Sequence, residues 1–203
     1  MTGEKAVVYV HGRGGRADDA ERFAHIFPGR FVTGFYYSSD TPCDAEREFP
    51  PFFESLSDRY GPVILIAESI GAYFSILSLK GCKIGKALLI SPVTDMERLI
   101  LSMLKAAGED EESLRRKKEI PTSFGETLSW EYLSYARRHP PGRIAPTEIL
   151  YGENDAMVPY GDIESYALRA DAGITVMKGG EHWFHTDEQL SFEEDWIRKI
   201  CGT

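Results

Sequence analysis

Val63 to Ala72, VILIAESIGA, is the stretch whose reading decides the fold. Val63 to Ala67 is an unbroken apolar run behind Gly61-Pro62, the pattern of a central parallel strand covered on both faces. Beyond it the period changes. Ile70, Tyr73, Phe74 and Leu77 recur at helical spacing, so the chain must turn sharply between Glu68 and Ile70, with Ser69 on the corner. A side chain on such a corner stands clear of the sheet, and the first N–H groups of the helix point at whatever binds beside it. Ala67-Glu68-Ser69-Ile70-Gly71 fits the pattern G-x-S-x-G, with alanine in the first small position. Two readings of Ser69 are open at this point: an exposed nucleophile, or a helix N-cap without chemistry.

Composition narrows the class of protein. The chain has 203 residues, enough for one domain to bury a sizeable core, with 42% hydrophobic and 27% charged residues. Its longest apolar runs are too short to cross a bilayer, and MTGEKAVVYV lacks a signal-peptide layout, so the expectation is a cytoplasmic protein with no membrane partner. Cys43, Cys82 and Cys201 are odd in number and scattered, which suggests neither a disulfide framework nor a zinc-cysteine site. The net charge of −9 argues against nucleic acid as a partner. Arg115 to Lys118, the local basic run, follows acidic Glu109 to Glu112 and reads as a solvated helix face.

Around the central stretch, strands and helices alternate. Ala6 to Val10 reads as a strand and ends in His11-Gly12-Arg13-Gly14-Gly15. An amphipathic helix follows, with Ala20, Phe23, Ala24 and Phe27 on its apolar face. Phe31 to Tyr37 is the next strand. Thr41-Pro42 opens a helix that Pro50-Pro51 should break, and Phe52, Phe53, Leu56 and Tyr60 carry a further apolar stripe. Lys86 to Ile90 is a fourth strand. Thr94 to His139 then reads as a helical insertion, far longer than an ordinary crossover. Its capping boxes are Thr94-Asp95-Met96-Glu97 and Ser123-Phe124-Gly125-Glu126, and the apolar face of its first helix is Met96, Leu99, Ile100, Met103 and Leu104. Thr147 to Tyr151, a helix at Tyr160 to Arg169, Ile174 to Met177 and a terminal helix with Phe192, Trp196, Ile197 and Ile200 complete the chain. The expected fold class is α/β: a single domain over residues 1–203, three layers α/β/α, a mostly parallel sheet of about six strands, and a helical cap at about 94–139.

Active-site groups in such sheets gather beyond the carboxyl ends of the strands. The first strand is followed by His11 to Gly15, the third by Ser69, the fifth by Gly152-Glu153-Asn154-Asp155, and the sixth by Gly179-Gly180-Glu181-His182. A serine, an acid and a histidine thus occupy three strand ends in the order Ser69, Asp155, His182.

With YVHGRGG at Tyr9 to Gly15, AESIG at Ala67 to Gly71, YGENDAMVP at Tyr151 to Pro159 and GGEHWFH at Gly179 to His185, the chain resembles an α/β-hydrolase of the compact kind with a helical cap. The resemblance covers almost the whole chain. It implies Ser69 as nucleophile, His182 as general base and Asp155 as orienting acid. It also implies an oxyanion hole from the backbone N–H groups of Ile70 and of Arg13 or Gly12. The residue types suit these roles. A serine hydroxyl attacks only when a base takes its proton, a histidine with an ordinary pKa of ~6.5 can take and return it, and a carboxylate holds the required tautomer.

Several residues have rival readings. Asp95, after the fourth strand, is the alternative acid, and His185 is the alternative base. His11 reads as a support for the oxyanion loop, His25 and His139 as ordinary surface or helix-face residues, and Glu68 as facing either the pocket rim or solvent. Glu181, His182, His185 and Asp187 lack the spacing of a metal motif, so neither a metal nor an organic cofactor is expected. Tyr37, Trp130 and Trp183 are candidates to line a substrate pocket. The expected activity is that of a serine hydrolase cleaving an ester or related acyl bond of a small to medium substrate through an acyl-enzyme. Thioesterase, peptidase or C–C cleavage by the same triad is the alternative within enzymes, and a ligand-binding sensor with little turnover is the alternative outside them.

Overall fold

The structure is a computed structural model that describes residues 5–203. Met1 to Glu4, where the stretch read as lacking a signal layout begins, lie outside the described residues. In chain order come β1 (Ala6–Val10), a 3-10 helix (Ala17–Ile26), β2 (Phe31–Gly34), α1 (Pro42–Tyr60), β3 (Val63–Glu68), α2 (Ser69–Ser78) and β4 (Ile84–Ile90). Then follow α3 (Met96–Ala106), α4 (Glu111–Lys117), β5 (Glu119–Pro121), β6 (Thr127–Ser129) and α5 (Trp130–Arg138). The chain ends with β7 (Thr147–Gly152), α6 (Tyr160–Ala170), β8 (Gly173–Met177) and α7 (Asp187–Cys201). It divides into two compact units, residues 94–141 and the remainder.

The larger unit carries a six-stranded sheet in the order β2-β1-β3-β4-β7-β8, with every neighbouring pair parallel. All of β1 and all but the last residue of β3 are buried, as expected of strands covered on both faces. From β1 the chain first steps outward to β2, then crosses back to β3 and continues the other way. Right-handed crossovers therefore place the 3-10 helix on one face and α1, α2 and α6 on the other. On the first face Val7, Tyr9, Ile64, Ile66, Leu88 and Ile90 pack with Phe23 and Ile26 of the 3-10 helix and with Trp196 and Ile197 of α7. The reversal of direction between β1 and β3 brings the ends of these two strands together, and ligands bind at such switch points in open α/β sheets.

Three local expectations are corrected. The segment after β1 is a 3-10 helix, not an α-helix. Its buried residues Ala17, Ala20, Phe23 and Ile26 recur every third position, whereas Ala24 is exposed. Pro50 and Pro51 lie inside α1 and do not break it. The stripe Ala45, Phe49, Phe53 and Ser57 is buried, and the rings of Phe49 and Phe53 pack with those of Phe35 and Phe74. Burying the two phenylalanines contributes roughly 3–6 kcal/mol, the scale of what an interior proline costs.

The smaller unit departs from the wholly helical expectation, because β5 and β6 form an antiparallel hairpin. The stretch read as a second capping box is the hairpin's turn: Thr122 donates its N–H to the Glu126 carbonyl at 2.7 Å, and Gly125 takes φ +88°, where a side chain would be strained. The helix starts later, with Ser129 accepting from Tyr132 N–H. At α3 the cap is Asp95 in place of Thr94, its Oδ1 accepting from Arg98 N–H at 2.9 Å. Met96, Ile100 and Leu104 are its buried residues, and Leu99 and Met103 are half-buried. Among the described residues no helix is long and apolar enough to cross a membrane.

Candidate active site

The site is built on the corner between β3 and α2. Ser69 takes φ +48°, a left-handed conformation that costs a non-glycine residue about 1–3 kcal/mol and that local sequence alone would not select. The surrounding backbone holds it: Val93 N–H donates to the Ser69 carbonyl at 3.1 Å, and α2 packs its first turn against the loop after β1. Gly71 is required there, since a Cβ at this position would overlap the His11 carbonyl oxygen. A Cβ at Gly12 would lie 3.1 Å from that of Ser69, so the backbone of the loop after β1 passes directly beside the serine. Gly71→Ala is expected to destabilise the protein by about 1–3 kcal/mol. Urea unfolding would show this, and an unchanged midpoint would contradict the close approach.

The N-cap reading of Ser69 does not describe its hydroxyl. Glu68 is the capping residue of α2, without a side-chain cap bond, and Ser69 Oγ lies 2.9 Å from His182 Nε2. His182 Nδ1 lies 2.7 Å from Asp155 Oδ2, whose side chain is fully buried, while the His182 side chain is 18% exposed. Asp155 Oδ1 accepts from the N–H groups of Met157 and Val158, each at 2.8 Å. An ionised carboxylate can only accept, so the proton sits on His182 Nδ1 and Nε2 is left to accept from the serine hydroxyl. Three residues from three strand ends thus form one hydrogen-bonded chain.

The motifs around the acid and the histidine have matching structural uses. Asn154 N–H donates to the Gly180 carbonyl at 2.7 Å, and Gly179 N–H donates to Glu153 Oε2 at 2.9 Å, which stitches the loop after β7 to the loop after β8. Tyr151 donates its hydroxyl to the Val158 carbonyl at 2.9 Å and fixes the far side of the Asp155 turn.

On the other flank, His11 Nδ1 lies 2.8 Å from the Gly12 carbonyl, and the His11 ring stacks on Tyr37 with centroids 4.5 Å apart. Tyr37 donates its hydroxyl to the His11 carbonyl at 2.7 Å, so this residue, read as pocket lining, braces the loop after β1. Burial pushes the Tyr37 hydroxyl above its ordinary pKa, so it stays a donor. Tyr37→Phe is expected to cost about 1 kcal/mol of stability and to slow any reaction that depends on the Gly12 and Arg13 backbone. Thermal melts beside turnover measurements would test this, and no change in either would contradict it.

The other sequence candidates fall elsewhere. Asp95 caps α3, and His185 Nδ1 lies 2.8 Å from the Trp183 carbonyl. Trp183 is 71% exposed and stacks on His185 at 4.8 Å. Trp130 is the half-buried first residue of α5, its N–H donating to the Lys118 carbonyl within the smaller unit. His25 Nε2 pairs with Glu194 at 2.9 Å, and His139 Nδ1 meets the Tyr135 carbonyl. Among the described residues no group of three or more His, Cys, Asp or Glu is placed to hold a metal ion.

Glu68 faces neither a pocket rim nor open solvent. Its Oε1 accepts from Arg22 Nη2 at 2.6 Å, and the same Nη2 lies 2.8 Å from Glu193 Oε1, whose side chain is fully buried. The Arg22 guanidinium lies 4.2 Å from the centroid of Phe23 and 5.9 Å from that of Tyr9 on β1. Burial pushes both carboxyls up, Glu193 to about 8, against the pull of Arg22. Sequence reading missed this cluster. A signal was present: Glu193 lies within the helical pattern of Gln189, Trp196 and Ile197, all buried, where an unpaired acid is costly.

No protein-family model and no curated protein matches the sequence. Solved structures do. Alpha/beta hydrolase domain-containing protein 10 from mouse is 17% identical, with TM-score 0.73 over 100% of this chain and 92% of its own. Est1E from Butyrivibrio proteoclasticus is 16% identical, with TM-score 0.75 over 99% and 88%. Thermogutta terrifontis esterase 2, solved phosphorylated by paraoxon, is 15% identical, with TM-score 0.61 over 97% and 84%. This chain has the α/β-hydrolase fold.

Proposed function

We propose that this protein is a serine hydrolase that cleaves an ester or related acyl bond of a small to medium substrate through an acyl-enzyme. The observation that carries the proposal is the continuous chain Ser69 Oγ, His182 Nε2, His182 Nδ1, Asp155 Oδ2, ending on a serine held at φ +48°. In this reading His182 takes the Ser69 proton as Oγ attacks the carbonyl carbon and returns it to the leaving group. Water then repeats the cycle to release the acid. Asp155 holds the tautomer and stabilises the imidazolium. The developing oxyanion is received by the N–H of Ile70, in the first turn of α2 where no intrahelical acceptor exists, and by that of Arg13 or Gly12. Similarity to a structure named as an esterase, that from Thermogutta terrifontis, supports the ester reading. Exposed Trp183, next to the base, is the candidate in this unit for contact with the acyl or alcohol group.

The test is hydrolysis of p-nitrophenyl esters graded by acyl length, followed from the first turnover. Where deacylation limits, an acyl-enzyme gives a burst of p-nitrophenol equal to the enzyme present, ahead of the steady rate. Absence of hydrolysis across the panel would overturn the ester reading.

A further inference from the structure

The cluster behind the nucleophile corner joins the three elements that set the reacting groups. Glu68 immediately precedes Ser69 at the end of β3. Arg22 comes from the 3-10 helix that follows the oxyanion loop, and Glu193 from α7, which begins five residues beyond His182. One nitrogen, Arg22 Nη2, reaches both carboxylates, at 2.6 and 2.8 Å, so the position of the corner is tied to that of the helix after the base loop.

Resting on the serine hydrolase reading, we infer that Arg22, Glu68 and Glu193 form a positioning unit for Ser69 and His182, and that one proton retained by the two carboxylates sets an alkaline limit on the reaction. With both acids ionised, a single guanidinium faces two negative charges in a site where the Glu193 side chain is fully buried, its Oε1 is met by Arg22 as an ion pair at 2.8 Å, and neither of its oxygens has a hydrogen-bond partner among the described residues. The surrounding groups do not supply the missing cation. Tyr9 on β1 is held neutral by burial, and Asp19 adds negative charge from the 3-10 helix. Glu194 adds more beside Glu193, though it is itself paired with His25 and Arg198. Retaining a proton leaves one carboxylate for one guanidinium. Removing it sets Glu68 and Glu193 against each other across the joint between the corner and α7.

The sign of the pH effect follows. Burial and the neighbouring carboxylate hold a proton on the Glu68 and Glu193 pair above the ordinary carboxylate range, where an unfolded chain has already released it. The cluster therefore favours folding most at acidic pH, and this contribution declines as the pH rises from the ordinary carboxylate range through about 8. Strain in the joint acts on reactivity because small misplacements of reacting atoms are costly.

The experiment is the rate of covalent labelling by a fluorophosphonate probe from pH 6 to 10, for the wild-type chain, Glu193→Gln and Glu68→Gln, with circular-dichroism melts at each pH. The wild-type rate should fall above about pH 8, by at least about threefold at pH 10. Either glutamine variant should lose the alkaline fall, and if one fails to fold the other carries the test. A purely structural cluster would shift the melts and leave the alkaline fall in place. A flat wild-type profile above pH 8, or an alkaline fall unchanged in a folded variant, overturns the inference. No labelling at any pH overturns the hydrolase reading itself, and the positioning role with it.

Discussion

Replacing Ser69 with alanine is expected to lower ester turnover by about 10⁴-fold or more and to leave stability within about 1 kcal/mol. The two halves of this expectation have separate causes. Alanine removes Oγ, the proposed attacking atom, and with it the 2.9 Å contact to His182 Nε2. The left-handed backbone at φ +48° stays, since alanine gains no more freedom there than serine, and the restraints from Gly71 and the Val93 N–H are untouched. Turnover and melting temperature measured on the same preparation separate chemistry from folding. Residual activity within tenfold of wild type would mean that Ser69 is not the nucleophile.

Asp155→Asn is expected to cost about 10⁴-fold in turnover with little loss of fold. Asparagine fills the same volume, and its carbonyl oxygen can still accept from the Met157 and Val158 N–H groups now held by Oδ1. Its amide nitrogen then faces His182 Nδ1, where the carboxylate accepts at 2.7 Å. Two donors cannot share that contact, so the imidazole must move its proton to Nε2, which removes the acceptor of the Ser69 proton. Alanine at the same position would confuse this effect with the loss of three hydrogen bonds, so the amide variant is the sharper measurement. A turnover loss below about tenfold would show that Asp155 does not set the tautomer.

What could be read from the sequence was whatever a single strand or helix writes locally. VILIAESIGA holds a buried strand, a corner and a helix start within ten residues, and Asp155 and His182 are legible because strand ends in a parallel sheet converge. The departures have physical causes. Ala20, Phe23, Ala24 and Phe27 fit a period of 3.6, and no local signal marks the tighter period of the 3-10 helix, which leaves Ala24 exposed. Pro50 and Pro51 break a helix considered alone, but α1 is held by an aromatic cluster contributed in part by Phe35 and Phe74, distant in the chain. The strands β5 and β6 have three residues each, too few to show alternation. The Arg22, Glu68 and Glu193 cluster depends on the 3-10 helix and α7 meeting on one face of the sheet, which no local pattern states.

The central claim is that Ser69 is an activated nucleophile. Its most direct measurement is mass spectrometry of the intact protein and of its peptides after reaction with a fluorophosphonate at neutral pH. The account predicts one adduct per chain, on Ser69, absent from Ser69→Ala and strongly slowed in Asp155→Asn. An adduct on any other residue, or none under conditions where the protein is folded, would contradict it.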